Sequence, residues 1–262
     1  MLLTRALSAI VLAPIVMGAV VIGGVAWFGF LAVALGLAAW EYARLMRLGG
    51  YQTAGWIAFI LIIAFLADAA WPEARLLPAA LSLILIGSLT WQLWHRTPTV
   101  TADWALGVAG GVYLGWAGHQ LVEIRGLDNG AAWLLLLLTG TWLADSSAYL
   151  VGVRFGRRRL APALSPRKSW EGLIGGIVIS AAGNALIAAG LNLPPLHGAA
   201  LGLIGGALGT LGDLSISMIK RQVGAKDSGN LIPGHGGALD RIDSLLFAAL
   251  AGRLYLAWFA GL

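Results

Sequence analysis

Residues 6–40 read ALSAIVLAPIVMGAVVIGGVAWFGFLAVALGLAAW, which is 35 consecutive residues without a charged side chain. A helix needs about 20 mostly apolar residues to cross the hydrocarbon core of a bilayer, so this stretch is too long for one crossing. Gly23 and Gly24 lie near its middle and favour a break, because glycine weakens the interior of a helix. The stretch therefore predicts two consecutive transmembrane helices and a protein that folds in the bilayer.

The rest of the chain has the same apolar character. Of its 262 residues, 59% are hydrophobic and 11% are charged, whereas soluble domains carry roughly 25% charged residues. Cysteine is absent, which excludes disulfides and cysteine-ligated metal sites. We predict an all-α, polytopic transmembrane helical bundle that forms a single integral membrane domain over residues 1–262. Its nine predicted spans are 6–22, 24–40, 54–71, 76–94, 104–122, 131–152, 171–190, 198–219 and 242–261.

The distribution of basic residues predicts the orientation. With the N-terminus in the cytoplasm, 14 of the 17 Lys and Arg residues fall in cytoplasmic segments, while Arg75 and Arg125 fall outside and Arg253 lies in the last span. Cytoplasmic loops of membrane proteins carry such an excess of Lys and Arg. We expect a multi-pass protein of the inner (plasma) membrane. The same rule accounts for the net charge of +5, so no nucleic-acid partner is predicted.

Polar residues and glycines are concentrated in residues 213–243, which read DLSISMIKRQVGAKDSGNLIPGHGGALDRID. Asp213, Ser217 and Lys220 are three to four residues apart and would share one face of a helix. An ionised carboxylate within a span costs about 2.5–3.5 kcal/mol unless something binds it. Asp213 therefore indicates a ligand site. The conservative alternative is that Asp240 caps a helix while the basic residues anchor it at the lipid headgroups.

The glycines at 234, 236 and 237 precede a helix that should begin near Asp240. Such a loop could bring backbone N–H groups close to a phosphate, since helix N-termini bind anions. The carboxylates would repel that phosphate. A magnesium ion between them would resolve the conflict, because Mg²⁺ is commonly held by one or two carboxylates plus substrate phosphates.

A second polar cluster lies upstream, in residues 145–172. Asp145 falls near the cytoplasmic end of the sixth span, where an acidic residue is a functional hypothesis by default. Ser165-Pro166 predicts a turn, and Lys168 would project into the headgroup layer, where anionic phosphates gather. The arginines at 157–159 are most simply explained by topology. A transporter or channel that uses Asp145 and Asp213 as ion sites is the alternative from another functional class.

Residues 217–243, SMIKRQVGAKDSGNLIPGHGGALDRID, resemble the signature of the phosphatidate cytidylyltransferases, the CDP-diacylglycerol synthases. The segments LADSSAY (143–149) and SPRKSWEG (165–172) are similar to the upstream region of the same family. Only the number of spans links the N-terminal half to it. We therefore expect residues 126–262 to carry the active site, open to the cytoplasm, and residues 1–125 to supply mainly scaffold and lipid-facing spans, with no role assigned to Glu41 or His119.

The resemblance implies transfer of CMP from CTP to phosphatidic acid, giving CDP-diacylglycerol and pyrophosphate, by a membrane-embedded homodimer. It also implies a requirement for Mg²⁺, held by Asp213 and Asp240, with K⁺ as a candidate second cation. A related enzyme acting on another lipid, an ether-lipid cytidylyltransferase or a polyprenol kinase, stays open. The catalytic candidates are Asp213, Lys226, Asp240 and Asp243. The substrate-binding candidates are Asp145, Ser165, Lys168, Ser217, Lys220, Arg221, His235 and Arg241.

Overall fold

A computed structural model describes residues 2–95, 97–231 and 236–262, with side chains from residue 10 onward. Over these residues the chain is predominantly helical, and each predicted span overlaps one helix. The described helices are α1 Leu2–Ile22, α2 Gly24–Leu48, α3 Gly55–Ala70, α4 Leu76–Trp94, α5 Val100–Gly126, α6 Gly130–Phe155, α7 Trp170–Gly190, α8 Pro195–Gln222 and α9 Leu239–Phe259. A short 3₁₀ turn, Pro72–Ala74, and two strands, β1 Arg159–Ala161 and β2 Ser165–Ser169, complete the described elements.

Six of the described helices are long and apolar enough to cross a bilayer: α2, α4, α6, α7, α8 and α9. The apolar stretches Ile10–Ile22 and Gly55–Ala70 are shorter. Large apolar side chains face outward, such as Val25, which is 84% exposed, and Leu186, which is 75% exposed. This pattern fits an integral membrane protein, because lipid is a good solvent for such side chains. Nine crossings and a cytoplasmic N-terminus stay predictions.

The break between the first two helices is where the sequence predicts it. Gly23 has φ 68° and Gly24 has φ 49°, values that residues with a Cβ adopt only with strain. The end of α2 differs from the prediction, because the helix runs on to Leu48 although the predicted span ends at residue 40. The charged residues after Trp40 mark the limit of the apolar span, but they are good helix formers and do not stop the helix.

The chain forms two compact units. Unit 1 comprises Met1–Glu123 with Ile219–Arg241, and unit 2 comprises Ile124–Met218 with Ile242–Leu262. In unit 1, buried apolar side chains of α2, α3, α4 and α5 form the core. Its α5 approaches α3 backbone to backbone, since a Cβ on Gly111 would lie 2.8 Å from the Cα of Ala58. Small residues allow this close packing of helices in membranes.

In unit 2, buried polar side chains join the helices. Asn184 is fully buried, donates from Nδ2 to the carbonyl of Leu136 at 2.6 Å and accepts from the hydroxyl of Thr139 at 2.8 Å. Ser180 donates to the carbonyl of Gly202 at 2.7 Å. Each of these buried polar groups thereby has a partner within the protein, as an apolar surrounding requires.

The close packing in unit 2 predicts a stability difference between two glycine variants. A Cβ on Gly205 would lie 2.6 Å from the carbonyl carbon of Gly140, whereas nothing lies within 4 Å of a Cβ on Gly190. We expect Gly205→Ala to lower the free energy of unfolding by about 1–3 kcal/mol, because the two backbones would have to separate. Gly190→Ala should leave it unchanged or slightly raised. Thermal unfolding in detergent measures both, and equal midpoints would contradict the close approach of Gly205 to Gly140.

The prediction of a turn at Ser165-Pro166 is wrong. Both residues lie in β2, which pairs antiparallel with β1. The turn comes earlier, at residues 162–164, and is closed by a hydrogen bond from the amide of Leu164 to the carbonyl of Ala161 at 3.1 Å. Pro162 takes the second turn position, where its fixed φ is favourable. Pro166 lacks an N–H donor, but proline is tolerated in an edge strand of so small a sheet.

Candidate active site

Unit 2 contains a pocket of about 560 Å³. Residues of α6, of the β1–β2 hairpin and of α7 line it, together with Thr210 of α8. Its lining combines three basic side chains with bulkier apolar ones, a composition that suits a ligand with a phosphate and a hydrocarbon part. The polar and charged lining residues are Asp145, Arg159, Arg167, Lys168, Ser169 and Thr210, and the bulkier apolar ones are Tyr149, Val153, Leu160 and Leu173.

Lys168 and Asp213 form an ion pair beside this pocket, and Asp213 Oδ1 also accepts a hydrogen bond from the hydroxyl of Ser217 at 3.2 Å. The side chains of Lys168 and Asp213 are 26% and 27% exposed. An ion pair with this much exposure is weak, because solvent screens it. The structure therefore brings together three predicted site residues and leaves both charges able to exchange their partners.

Local hydrogen bonds fix the hairpin that carries Lys168. Ser169 caps α7 by accepting from the amide of Gly172 at 3.1 Å, as a serine at the N-cap commonly does. Glu171 accepts from the amides of Arg157 at 3.0 Å and Arg158 at 3.2 Å. Gly172 has no space for a side chain, since a Cβ would lie 2.7 Å from the carbonyl oxygen of Ala148. The Ser-Trp-Glu-Gly run thus holds the hairpin in place against α6.

Unit 1 contains a different and more buried ion pair. Lys220 Nζ lies 2.6 Å from Asp240 Oδ1, and the two side chains are only 8% and 6% exposed. Asp240 Oδ2 accepts further hydrogen bonds from the amides of Ser228 at 2.9 Å and Gly237 at 3.1 Å. Both oxygens of this carboxylate are therefore engaged by the protein itself. Such a set of donors compensates the desolvation of a buried charge.

Glu41 of α2 is the residue of this cluster that sequence reasoning left without a role. It is fully buried, and its Oε2 accepts from the hydroxyl of Ser228 and from the amide of Leu239, both at 2.9 Å. The signal in the sequence was a single acidic residue at the end of a predicted span, a kind of position that is often functional. Its partners lie 187 and 198 residues away in the chain, so the pattern alone did not reveal them.

Two backbone amides at the start of α9 donate to carboxylates, and Gly234 of the predicted phosphate loop lies outside the described residues. The amide of Gly237 donates to Asp240 and that of Leu239 donates to Glu41. These N–H groups cannot bind a phosphate at the same time. A helix N-terminus attracts anions, and in this protein the bound anions are its own Asp240 and Glu41 side chains.

The other predicted site residues lie in varied surroundings. Asp243 is buried in α9 and accepts from the amide of Ser244 at 2.7 Å. The exposed Arg221 donates to the carbonyl of Ala225 at 3.0 Å. Lys226 and Arg241 are exposed, Ser165 is partly buried in β2, and Asp145 is exposed in the pocket wall. His235 lies outside the described residues.

The carboxylates of the two units suit Mg²⁺ to different degrees. Among residues 2–95, 97–231 and 236–262, no group of three or more His, Asp or Glu side chains is close enough to hold a metal. Magnesium is commonly bound by one or two carboxylates plus substrate phosphates, so one accessible carboxylate fits its chemistry. Asp213 would have to release Lys168 from a partly exposed ion pair, whereas Asp240 would have to release Lys220 from a buried one.

Comparison with known proteins agrees with these features. The model of a family described as "Cytidylyltransferase family" matches residues 3–259. A protein of Pseudomonas aeruginosa named phosphatidate cytidylyltransferase is 39% identical over 278 aligned residues, which cover 100% of this chain and 98% of the relative. Proteins of the same name from Brucella abortus and Bacillus subtilis are each 35% identical, and the alignments cover 98% and 90% of this chain and 94% and 91% of the relatives.

These matches confirm the resemblance that residues 143–149, 165–172 and 217–243 carry in the sequence. They also extend it through the N-terminal half, which the motifs did not reach. The chain belongs to the cytidylyltransferase family.

Proposed function

We propose that this protein transfers CMP from CTP to phosphatidic acid, giving CDP-diacylglycerol and pyrophosphate, in phospholipid biosynthesis. The observation that carries the proposal is its similarity, over 90% or more of its length and of theirs, to relatives named phosphatidate cytidylyltransferase. Family membership favours this enzyme over a transporter that would use Asp145 and Asp213 as ion sites.

The reaction needs little acid–base chemistry from the protein. The phosphate of phosphatidic acid is already an anionic nucleophile. One of its oxygens forms a bond to the α-phosphorus of CTP, while the bond from that phosphorus to the bridging oxygen breaks and pyrophosphate leaves. Catalysis of such a transfer consists mainly of positioning the reactants and neutralising their charge. Basic side chains near the pocket of unit 2 supply that kind of environment.

The pocket suits the phosphate end of a membrane lipid. Arg159, Arg167 and Lys168 supply positive charge, and Tyr149 and Val153 form an apolar wall that is 70% and 72% exposed. We propose that the phosphate of phosphatidic acid binds to these basic side chains while its acyl chains leave the pocket over Tyr149 and Val153. Lys168 would then exchange Asp213 for the phosphate, which their weak, partly exposed ion pair allows.

Mg²⁺ is the proposed cofactor, and K⁺ is a candidate second cation. A bound Mg²⁺ would neutralise phosphate oxygens of CTP and of the leaving pyrophosphate. The assignment of Asp213 and Asp240 as its ligands rests on the sequence motif. The partial exposure of the Asp213 carboxylate supports the assignment of Asp213 as a ligand.

The remaining predicted residues keep their proposed roles in charge neutralisation and positioning. Lys220 orients Asp240 through their buried ion pair, and Ser217 orients Asp213. The buried Asp243 is proposed to support the metal centre, a role that rests on the sequence motif. Residues proposed to contact the substrate phosphates are Arg221, Lys226, His235 and Arg241, with Ser165 as a hydrogen-bond donor. Asp145 is proposed to accept a hydrogen bond from a donor group of a substrate, since a carboxylate repels phosphate.

The proposed membrane location and orientation of the protein rest on the sequence. We propose a homodimer in the inner membrane, with nine spans, the N-terminus in the cytoplasm and an active site open to the cytoplasm for CTP. The excess of Lys and Arg in the predicted cytoplasmic segments supports this orientation.

The test is an assay of the purified protein in detergent micelles with labelled CTP, phosphatidic acid and Mg²⁺. We expect CDP-diacylglycerol and pyrophosphate to form only when both substrates are present, and EDTA to abolish the reaction until Mg²⁺ is restored. A parallel set with ether-linked phosphatidic acid and with a polyprenol distinguishes the related lipid enzymes. Failure to form a liponucleotide with any phospholipid acceptor, together with ion flux in liposomes that depends on Asp213, would instead support a transporter.

The proposed lipid-phosphate contact predicts an effect of Lys168→Gln. Losing a charged hydrogen bond of about 1.5–3 kcal/mol should lower kcat/KM for phosphatidic acid about 10- to 100-fold. The KM for CTP should change much less. Arg157→Gln is the matched control, because Arg157 is an exposed arginine of the same connection that does not line the pocket. Equal losses of kcat/KM in both variants would contradict a specific contact between Lys168 and the lipid phosphate.

A further inference from the structure

A buried carboxylate from α2 lies against the segment that connects α8 to α9 in unit 1. Glu41 is fully buried, and its Oε2 accepts two hydrogen bonds from that segment. Its Oε1 is also buried and has no hydrogen-bond partner among the described residues. An unsatisfied buried acceptor is unfavourable. The position of Glu41 thus leaves one carboxylate oxygen satisfied and the other unsatisfied.

Two glycines of the connecting segment lie very close to this carboxylate. A Cβ on Gly229 would lie 2.3 Å from Glu41 Oε1, and a Cβ on Gly237 would lie 2.2 Å from Oε2. No side chain fits in either place. The two glycines thus allow the backbone at residues 229 and 237 to lie directly against the Glu41 carboxylate.

Ser228 connects Glu41 to the buried ion pair of Lys220 and Asp240 through two hydrogen bonds. Its hydroxyl donates to Glu41 at 2.9 Å and its amide donates to Asp240 at 2.9 Å. Asp240 in turn accepts from Lys220 at 2.6 Å. Glu41, Ser228, Asp240 and Lys220 therefore form one continuous chain of hydrogen bonds within unit 1, and Ser228 is 1% exposed.

We infer that Glu41 is a positioning residue for cytidylyl transfer, which holds Ser228 and the start of α9 so that Asp240 and Lys220 keep their orientation. This inference rests on the proposed function. It assigns to the N-terminal half a part in positioning the site residues Asp240 and Lys220. Glu41 acts through Ser228 and Leu239 and touches no substrate.

Two substitutions at Glu41 separate its hydrogen bonds from its charge. Glu41→Gln keeps a side-chain oxygen that can accept from Ser228 and Leu239, so kcat should stay within about 10-fold of wild type. Glu41→Ala removes both bonds and should lower kcat about 100-fold, because small displacements of positioned groups have effects of that size. The KM values for CTP and phosphatidic acid should change less than about 3-fold, as expected for a loss felt in the transition state. Glu73→Gln is the control, since Glu73 is an exposed carboxylate in the 3₁₀ turn.

A second readout does not depend on activity. Hydrogen–deuterium exchange should become faster at the amides of Ser228, Gly237 and Leu239 in Glu41→Ala, with little change in unit 2. Ser228→Ala should lower kcat about 10-fold, and the double variant should be no slower than Glu41→Ala alone, because both changes break the same link. Ser228→Ala carries the test if Glu41→Ala does not fold.

The outcomes distinguish this inference from the proposed function. If wild type makes CDP-diacylglycerol and folded Glu41→Ala has the wild-type kcat, the inference is overturned and the proposed function stands. A variant that loses only thermal stability, with full activity per folded molecule, overturns it as well. If wild type makes no CDP-diacylglycerol, the proposed function fails, and the exchange measurement still tests whether Glu41 holds the segment.

Discussion

Replacing Asp213 by asparagine is expected to lower kcat for CDP-diacylglycerol formation by at least about 100-fold, the size of effect seen when one group that stabilises transition-state charge is removed. The unfolding temperature should stay close to that of wild type. Asp213 is 27% exposed and its partner Lys168 is 26% exposed, so losing their screened ion pair has little effect on stability. Parallel assays of activity and thermal unfolding in detergent measure both expectations.

Asp128→Asn is the matched control for this prediction. Asp128 is an exposed aspartate of the same unit, in the connection between α5 and α6, and its replacement should leave kcat unchanged. Near-wild-type activity of Asp213→Asn at low Mg²⁺ concentration would contradict the assignment of Asp213 to the active site. A parallel fall in unfolding temperature would mean that its role is structural.

Asp240→Asn is expected to lose both activity and stability. Lys220 would keep its charge with a side chain that is only 8% exposed, and breaking a buried ion pair in this way typically costs about 3–5 kcal/mol. For a chain of this length the unfolding temperature should fall by on the order of 10 °C. The same two assays measure activity and unfolding temperature. Asp240→Asn should lower both, whereas Asp213→Asn should lower activity alone.

The double variant Lys220→Met/Asp240→Asn tests the cause of that instability. Removing the second charge as well should restore much of the unfolding temperature, because apolar replacements of buried ion pairs are often tolerated. Activity should stay low, since the proposed function needs both groups. A double variant no more stable than Asp240→Asn would mean that the amides of Ser228 and Gly237, rather than Lys220, depend on this carboxylate.

Hydrophobicity and glycine placement were sufficient to predict the helical segments. The break at Gly23-Gly24 and the overlap of every predicted span with one helix depend on apolar runs and on backbone preferences, which are local properties of the chain. The family also followed from the sequence, because the signature at 217–243 places its polar residues at fixed spacing on one continuous segment.

Tertiary structure decided which of these polar residues share a cluster. The sequence predicted Asp213 near Ser217 from helical spacing, but it did not predict that Lys168 pairs with Asp213 or that β1 and β2 form a hairpin. It assigned no role to Glu41, whose partners Ser228 and Leu239 are 187 and 198 residues away. The periodicity of a sequence indicates which face of a helix each residue occupies. A contact between distant segments depends instead on how whole helices pack against each other and on which donors lie near each buried charge.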